Sequence, residues 1–313
     1  MDKVSILLSI YRPNPEYLEK QLLSLNEQNY PDLELLVWND CPEEEIDHSL
    51  FDRCINRFPV LYFDEKTNLG YVKAFEKLCG LATGDYLSFC DQDDIWEKEK
   101  IRRCVEEIKA HNAVAAVCDR SLINAQGEQI CESVRKTSKG KRFTWKTGDH
   151  ITPQAAFFSY CTGMTLVGRR ETIQGFLPLD SDLPHDQQLI FFLSAAGTIV
   201  YVEETLVKHR IHGKNTSGTL QGVVKKEDYY LTRCLPVDRM LEKYKKLYPN
   251  DPDIEDMQAC SKARLKGNVS GLWKYRKYIP ELYNYEIVLS LCPRTLFKLI
   301  KNNIWGNGEK DAI

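Results

Sequence analysis

Asp85-Tyr-Leu-Ser-Phe-Cys-Asp-Gln-Asp-Asp94 is the stretch on which the fold turns. Its first half is a short apolar run that reads as a buried strand. Its second half sets Asp91, Asp93 and Asp94 at the strand's carboxyl end. Like charges this close repel, and near a sheet end they are costly unless water or a cation neutralises them. Mg2+ or Mn2+ takes one or two such carboxylates together with phosphate oxygens. An acidic turn that caps the next helix would use the same residues, because Asp is favoured at a helix N-terminus. Position alone leaves both open.

Working outward, Val4-Ser-Ile-Leu-Leu-Ser-Ile10, Leu33-Glu-Leu-Leu-Val-Trp38 and Val60-Leu-Tyr-Phe63 also read as strands, with another at 113–118. Helical spacing separates them at 16–29, 71–82 and 98–111. Regular alternation over about 120 residues implies α/β architecture, a mostly parallel central sheet with helices on both faces. Ligands of such sheets sit beyond the carboxyl ends of the strands. Asp40 and Asp91 both fall there, which predicts one crevice holding both. Farther on, 133–150 is polar and reads as a mobile loop. Strand character resumes at Cys161-Thr-Gly-Met-Thr-Leu-Val167, a helix at 185–196 and a strand at 198–202. Composition shifts after Gly222 towards Tyr, Lys and Leu, so the expected division is 1–222 for a catalytic domain and 223–313 for a mainly helical C-terminal extension.

Composition excludes several classes. With 43% hydrophobic and 28% charged residues the chain is an ordinary globular protein, and its net charge of −3 gives no reason to expect a nucleic-acid partner. The 11 cysteines include no C-x-x-C pair, so reduced, buried thiols are expected rather than a zinc site. No signal-peptide pattern and no run of ~20 apolar residues is present, which makes a cytoplasmic location the expectation.

The motifs in order resemble the inverting family 2 glycosyltransferases of the GT-A (Rossmann-like) fold. The matching pieces are Ser9-Ile-Tyr-Arg-Pro13, Asn39-Asp40, Asn68-Leu-Gly70, Asp91-Gln-Asp93 and His185-Asp186, across roughly residues 1–220. His185-Asp186-Gln-Gln-Leu and Arg210-Ile-His212-Gly-Lys-Asn215 look most similar to the bacterial rhamnosyltransferase-like members. The resemblance implies a metal-dependent transfer of a sugar, rhamnose in that subgroup, from a UDP- or dTDP-sugar to a glycan or lipid-linked saccharide acceptor in polysaccharide synthesis. It implies that Asp40 bonds the base, that Tyr11 and Arg12 line the base pocket, and that Asn68, Gly70 and Lys73 approach the nucleotide. Asp91 would contact ribose or assist the metal, and Asp93 of the D-x-D motif would ligate Mn2+ or Mg2+. His212 would be a further metal ligand and Arg210 a phosphate partner. Asn39 stands where the family often has Asp, and His185 where it often has Glu.

Asp186 fits the general base that an inverting transfer needs, since one group must take the acceptor's proton as it attacks. Pro184-His-Asp-Gln before an apolar helix is equally what capping would produce. A sugar nucleotidyltransferase would more often carry a Gly-rich loop at the first strand, where Tyr-Arg-Pro-Asn-Pro stands here. An inactive nucleotide-sugar-binding module is the alternative outside the enzymes. At the far end, Arg294 to Trp305 mixes Lys298 and Lys301 with Phe297, Ile300 and Ile304. That pattern suits either peripheral contact with the inner face of the cell membrane or packing against the catalytic domain.

Overall fold

The computed structural model describes residues 2–64, 66–137, 140–213 and 223–297. Its strands are β1 (Val4–Ile10), β2 (Leu33–Asn39), β3 (Val60–Asp64), β4 (Tyr86–Cys90), β5 (Ile95–Trp96), β6 (Ala115–Ile123), β7 (Gln129–Cys131), β8 (Leu166–Arg169) and β9 (Ile199–Arg210). The helices of the first part are α1 (Pro15–Asn26), α2 (His48–Cys54), α3 (Tyr71–Leu81), α4 (Lys100–Ala110), α5 (Thr152–Ala155), α6 (Arg170–Gln174) and α7 (His185–Ala196). Then come α8 (Lys226–Tyr229), a π-helical turn (Tyr230–Cys234), α9 (Leu235–Leu247), α10 (Ile254–Lys266), α11 (Val269–Lys274) and α12 (Tyr283–Leu291).

The strands form one mixed sheet ordered β3-β2-β1-β4-β8-β6-β9-β5, with β7 on β6. β3, β2, β1 and β4 are parallel, β8 runs against its neighbours, and β6 and β9 are parallel to each other. Alternation along β1 shows how the sheet is covered. Val4, Ile6 and Leu8 join the core beneath α1 and α4, while Leu7 joins the core beneath α3 and α7. Side chains of successive residues point to opposite faces, so a strand buried on both faces is apolar throughout. All 11 cysteines are free thiols, ten of them buried, as expected for reduced core residues.

Three expectations need correction. The run 161–167 is not strand throughout. Thr162 and Thr165 bond each other across a 3-10 turn at Gly163–Thr165, and β8 begins only at Leu166. The polar stretch 133–150 carries its own anchors. Trp145 is buried, donates its indole N–H to the Tyr160 carbonyl and packs edge-on against Tyr201. Lastly, the strand expected at 198–202 runs on to Arg210. Its partners jump from Cys118↔Val202 to Asp119↔Thr205 and then to Arg120↔Val207. The extra β9 residues form a bulge, which bends a strand and sharpens its twist.

The C-terminal helices share the core beneath α3 and α7. Val237, Met240, Leu241 and Tyr244 of α9 belong to it, and the Phe191 and Tyr244 rings lie 4.6 Å apart. The boundary expected at residue 222 falls at the edge of residues outside the description, as do Lys298, Lys301, Ile300, Ile304 and Trp305 of the membrane expectation.

Candidate active site

Three neighbouring parallel strands end at one place: Tyr11 follows β1, Asp40 follows β2 and Asp91 follows β4. Asp40 is buried and accepts the Leu69 N–H at 2.7 Å. The Asn68 side chain fixes that turn, donating to the Asp40 carbonyl (2.8 Å) and accepting the Gly70 N–H (2.9 Å). Gly70 has φ +76°, where a side chain would be strained. Burial raises the Asp40 carboxyl from its ordinary range, partly offset by the Leu69 and Gly70 N–H groups. Tyr11 is exposed, and its backbone exchanges two hydrogen bonds with the Gln92 amide. Arg12, also exposed, has φ +43° and extends over the Tyr11 ring. Asn39 closes the 39–44 turn, through the Glu44 carbonyl and the Cys41 N–H.

Pairing of β5 with β9 sorts the three carboxylates. Ile95 lies opposite Lys208, so the residues before Ile95 meet those after Lys208. Asp94 is fully buried, and its Oδ1 accepts the Arg210 N–H and faces His209 Nδ1, both at 3.0 Å. Asp94 is no helix cap, because α4 starts only at Lys100. Asp93 faces the crevice, its Oδ2 2.6 Å from His212 Nε2. Asp91 is half-buried. Burial and the neighbouring carboxylates raise both Asp91 and Asp93 from their usual range, most for Asp91.

Two expected nucleotide contacts are engaged elsewhere. Lys73 bonds Glu76 (2.8 Å) and the Leu179 carbonyl (2.7 Å). Arg210 is fully buried, donates to the carbonyls of Asp93, Asn124 and Ala125, and stacks on Tyr17. It braces the Asp93 turn from behind. Arg210 is the last residue of β9, and residues 214–222 beyond it lie outside the description.

Asp186 is the second residue of α7, whose N-cap is Pro184. It therefore does not cap the helix, and its Oδ1 accepts the N–H of Gln187. Burial lifts its pKa to about 6, opposed by backbone N–H groups and by the charge of Arg120. The charge of Asp186 bears on Asp91, and Tyr71 at the start of α3 feels both. His185 beside it is buried against Phe75 (4.4 Å) and Phe89 (5.3 Å), and neither ring nitrogen is hydrogen-bonded among the described residues. Gly163 leaves the room, since a Cβ there would come within 2.6 Å of His185 Nε2.

Sequence reasoning missed Arg120. Its guanidinium bonds Thr162 Oγ1 at 3.2 Å and faces the charges of Asp119, Asp94 and Asp186, while burial lowers its pKa. The available signal was an Asp-Arg pair directly after an apolar strand.

Among the described residues no group of three His, Cys, Asp or Glu side chains is gathered for a metal. The carboxylate of Asp93 fits a cation of the Mg2+ or Mn2+ kind that takes its remaining ligands from diphosphate and water, and the His212 imidazole beside it is a donor better suited to a transition metal than to Mg2+.

Residues 5–166 match the profile described as "Glycosyl transferase family 2". The chain belongs to glycosyl transferase family 2. An uncharacterised glycosyltransferase of Nostoc sp. is 23% identical over 219 residues, 68% of this chain and 66% of that protein. A putative teichuronic acid biosynthesis glycosyltransferase of Bacillus subtilis, TuaG, is 27% identical over 129 residues, 41% of this chain and 50% of that protein. The chain thus spans half to two thirds of the length of these relatives. The crystal structure of S. aureus TarS 1–349 in complex with UDP-GlcNAc superposes with a TM-score of 0.62 at 14% identity, over 96% of this chain and 92% of that one. Mannosyltransferase PcManGT from Pyrobaculum calidifontis, in complex with GDP-Man and Mn2+, gives 0.54 at 14% identity, over 97% and 79%. These likenesses establish the GT-A fold. Among the described residues no helix is long and apolar enough to cross a membrane.

Proposed function

We propose that this chain moves a sugar from a nucleoside diphosphate sugar to a hydroxyl of a glycan acceptor, inverting the configuration at C1. The observation that carries the reading is Asp186, a carboxylate with a pKa of about 6 at the wall of the crevice, in electrostatic reach of Asp91 and Arg120. A base poised near neutrality is suited to taking a proton at the moment of attack. Asp40, with Tyr11 and Arg12 at the rim, receives the base of the nucleotide. Asp93 and His212 would hold Mn2+ or Mg2+, and Asp91 would contact the ribose. A bound cation supplies charge that stabilises the departing diphosphate. Asp186 accepts the acceptor hydroxyl's proton, the hydroxyl oxygen bonds to C1, and the bond from C1 to the diphosphate oxygen breaks.

These assigned residues all lie within 1–222, the segment we assign to catalysis, with 223–313 as its extension. Relatives that include a putative teichuronic acid biosynthesis enzyme and a hyaluronan synthase support a polysaccharide acceptor. UDP- and dTDP-sugars are the donors of choice, with dTDP-rhamnose among the first to try because of the 185–189 and 210–215 motifs.

The test is Asp186→Asn across a pH series. The native enzyme's turnover should fall tenfold per unit as pH drops below about 6, where Asp186 becomes protonated. The variant should bind donor normally and turn over about 10²-fold or more slower. Loss of donor affinity with normal saturated turnover would refute the assignment, and so would an NMR spectrum showing retained configuration in the product.

A further inference from the structure

We propose that the exposed face formed by α11 and the turn after it docks on a bilayer surface of anionic lipid headgroups. Residues 257–280 contain six Lys and Arg and no Asp or Glu, in a chain whose net charge is −3. Arg264 is buried against Glu286, which leaves Lys262, Lys266, Lys274, Arg276 and Lys277, all exposed. None of these five makes an ion pair among the described residues. Three instead lie over aromatic rings of their own segment: Lys274 over Tyr275, Arg276 over Trp273 and Lys277 over Tyr278. The nearest acids along the chain have other hydrogen-bond partners, and Glu255 pairs with Lys245. Asp253 and Asp256 accept from the Tyr278 hydroxyl, and Glu281 from that of Tyr160. Acids reach these cations only through space, Asp256 to Lys274 and Glu255 to Lys262, so the positive charge is left without a contact partner and is available to a ligand.

The apolar component selects the kind of partner. Leu272 alone satisfies the inner side of α11, being fully buried, whereas Trp273 is 61% exposed and Val269 is exposed beside it. Indole at a polar–apolar boundary, ringed by Lys and Arg, is the composition of an interfacial membrane anchor. A soluble polyanion would offer phosphate or carboxylate to the charges but no apolar phase to the valine. Next to Trp273, Lys274, Arg276, Lys277, Pro280 and Tyr283 line a cleft of about 510 Å3, which sets three cations around a space open to a phosphate headgroup.

The face is tied to the catalytic wall. The Lys277 carbonyl accepts from Gln154, and Glu281 accepts from Tyr160. Tyr160 precedes Cys161, whose thiol donates to the Asp186 carbonyl. A surface held here would present acceptors attached to it from the Asp186 side. Binding is measured without turnover, so the outcome is independent of the transfer reaction proposed above.

The test is co-sedimentation of the full chain at low salt with phosphatidylcholine vesicles and with vesicles rich in phosphatidylglycerol. The intact protein should bind only the second. Lys274→Glu/Arg276→Glu/Lys277→Glu should weaken that binding about tenfold or more, in keeping with the contribution of each cation near an anionic surface. Trp273→Phe should remove a blue shift of tryptophan emission that accompanies binding. Thermal unfolding of each variant, unchanged from the native chain, shows that the fold is kept. Undiminished binding by the triple variant would overturn the proposal. So would binding abolished by Lys298→Glu/Lys301→Glu alone, which would place the contact in the terminal segment. Binding to soluble polyphosphate but not to vesicles would also overturn it, and would assign the face to a soluble polyanion.

Discussion

The carboxyl of Asp94 is sealed from solvent and receives the Arg210 N–H while facing His209, whereas that of Asp93 reaches the crevice and meets His212. Removing Asp94 therefore leaves a buried backbone N–H without its acceptor, a loss of about 1–3 kcal/mol for each such group. Removing Asp93 frees a side chain that water can reach. Asp94→Ala should lower the melting temperature by several degrees in metal-free buffer, and Asp93→Ala should leave it nearly unchanged. In titrations with nucleotide, Asp93→Ala should lose the increment in affinity that Mn2+ provides. Equal melting losses, or a retained Mn2+ effect in Asp93→Ala, would count against this division of roles. The cluster itself was legible as three carboxylates after a strand. The division was not, because it depends on a contact between residues 115 positions apart. The burial of Arg210 was hidden for the same reason. A basic residue in a Gly-containing segment suggests phosphate, but pairing of β5 with β9 buries it behind Asp93.

Elements with a strong period were readable: β1, β2, β4, α3, α4 and α7 each lie within a residue or two of the expected bounds. β9 was read too short because Glu203 and Glu204 look like a strand's end. They are the exposed residues of a bulge, and the strand continues beyond them to bring His209 and Arg210 to the site. The start of α7 hides a different feature. Nothing in His185-Asp186 reveals that the imidazole sits in an aromatic box made by α3 and β4, where burial depresses its pKa to about 3. In the unfolded chain it titrates near 6.5. Between those values the unfolded state holds the extra proton, so stability falls as pH drops below about 6.5. From pH 7 to pH 5 this one group should remove about 2 kcal/mol of stability, which His185→Leu should not lose. Urea unfolding of both proteins at the two pH values measures the difference. Parallel pH dependence would show that His185 is protonated in the native state or hydrated there.

At the scale of the whole molecule, the shift in composition after Gly222 suggested a catalytic domain over 1–222 and a C-terminal extension set apart from it. The packing argues otherwise. Val237, Met240, Leu241 and Tyr244 lie in the core that holds α7 in place, and Phe191 and Phe192 of α7 are fully buried in that same core. Burying one such side chain contributes about 1.5–3 kcal/mol, so these four from α9 together match a large part of the about 5–15 kcal/mol by which a typical domain is stable. The far side of the extension is fastened as well. Arg264 Nε lies 2.7 Å from Glu286, which also accepts from the Tyr229 hydroxyl, and this buried pair ties α10 to α12 and α8. Breaking a buried pair by removing one partner costs about 3–5 kcal/mol, because the other charge stays in the interior. A chain ending at residue 222 would uncover Phe191 and Phe192, whose rings meet Tyr244, and α7, which carries Asp186, would lose that support. Such a chain should aggregate or elute as a broad, early peak on size exclusion, and it should show no cooperative thermal transition. A sharp monomeric peak with donor affinity equal to that of the full chain would mean that the sheet and α1 to α7 fold unaided, and that α9 packs on a core already complete.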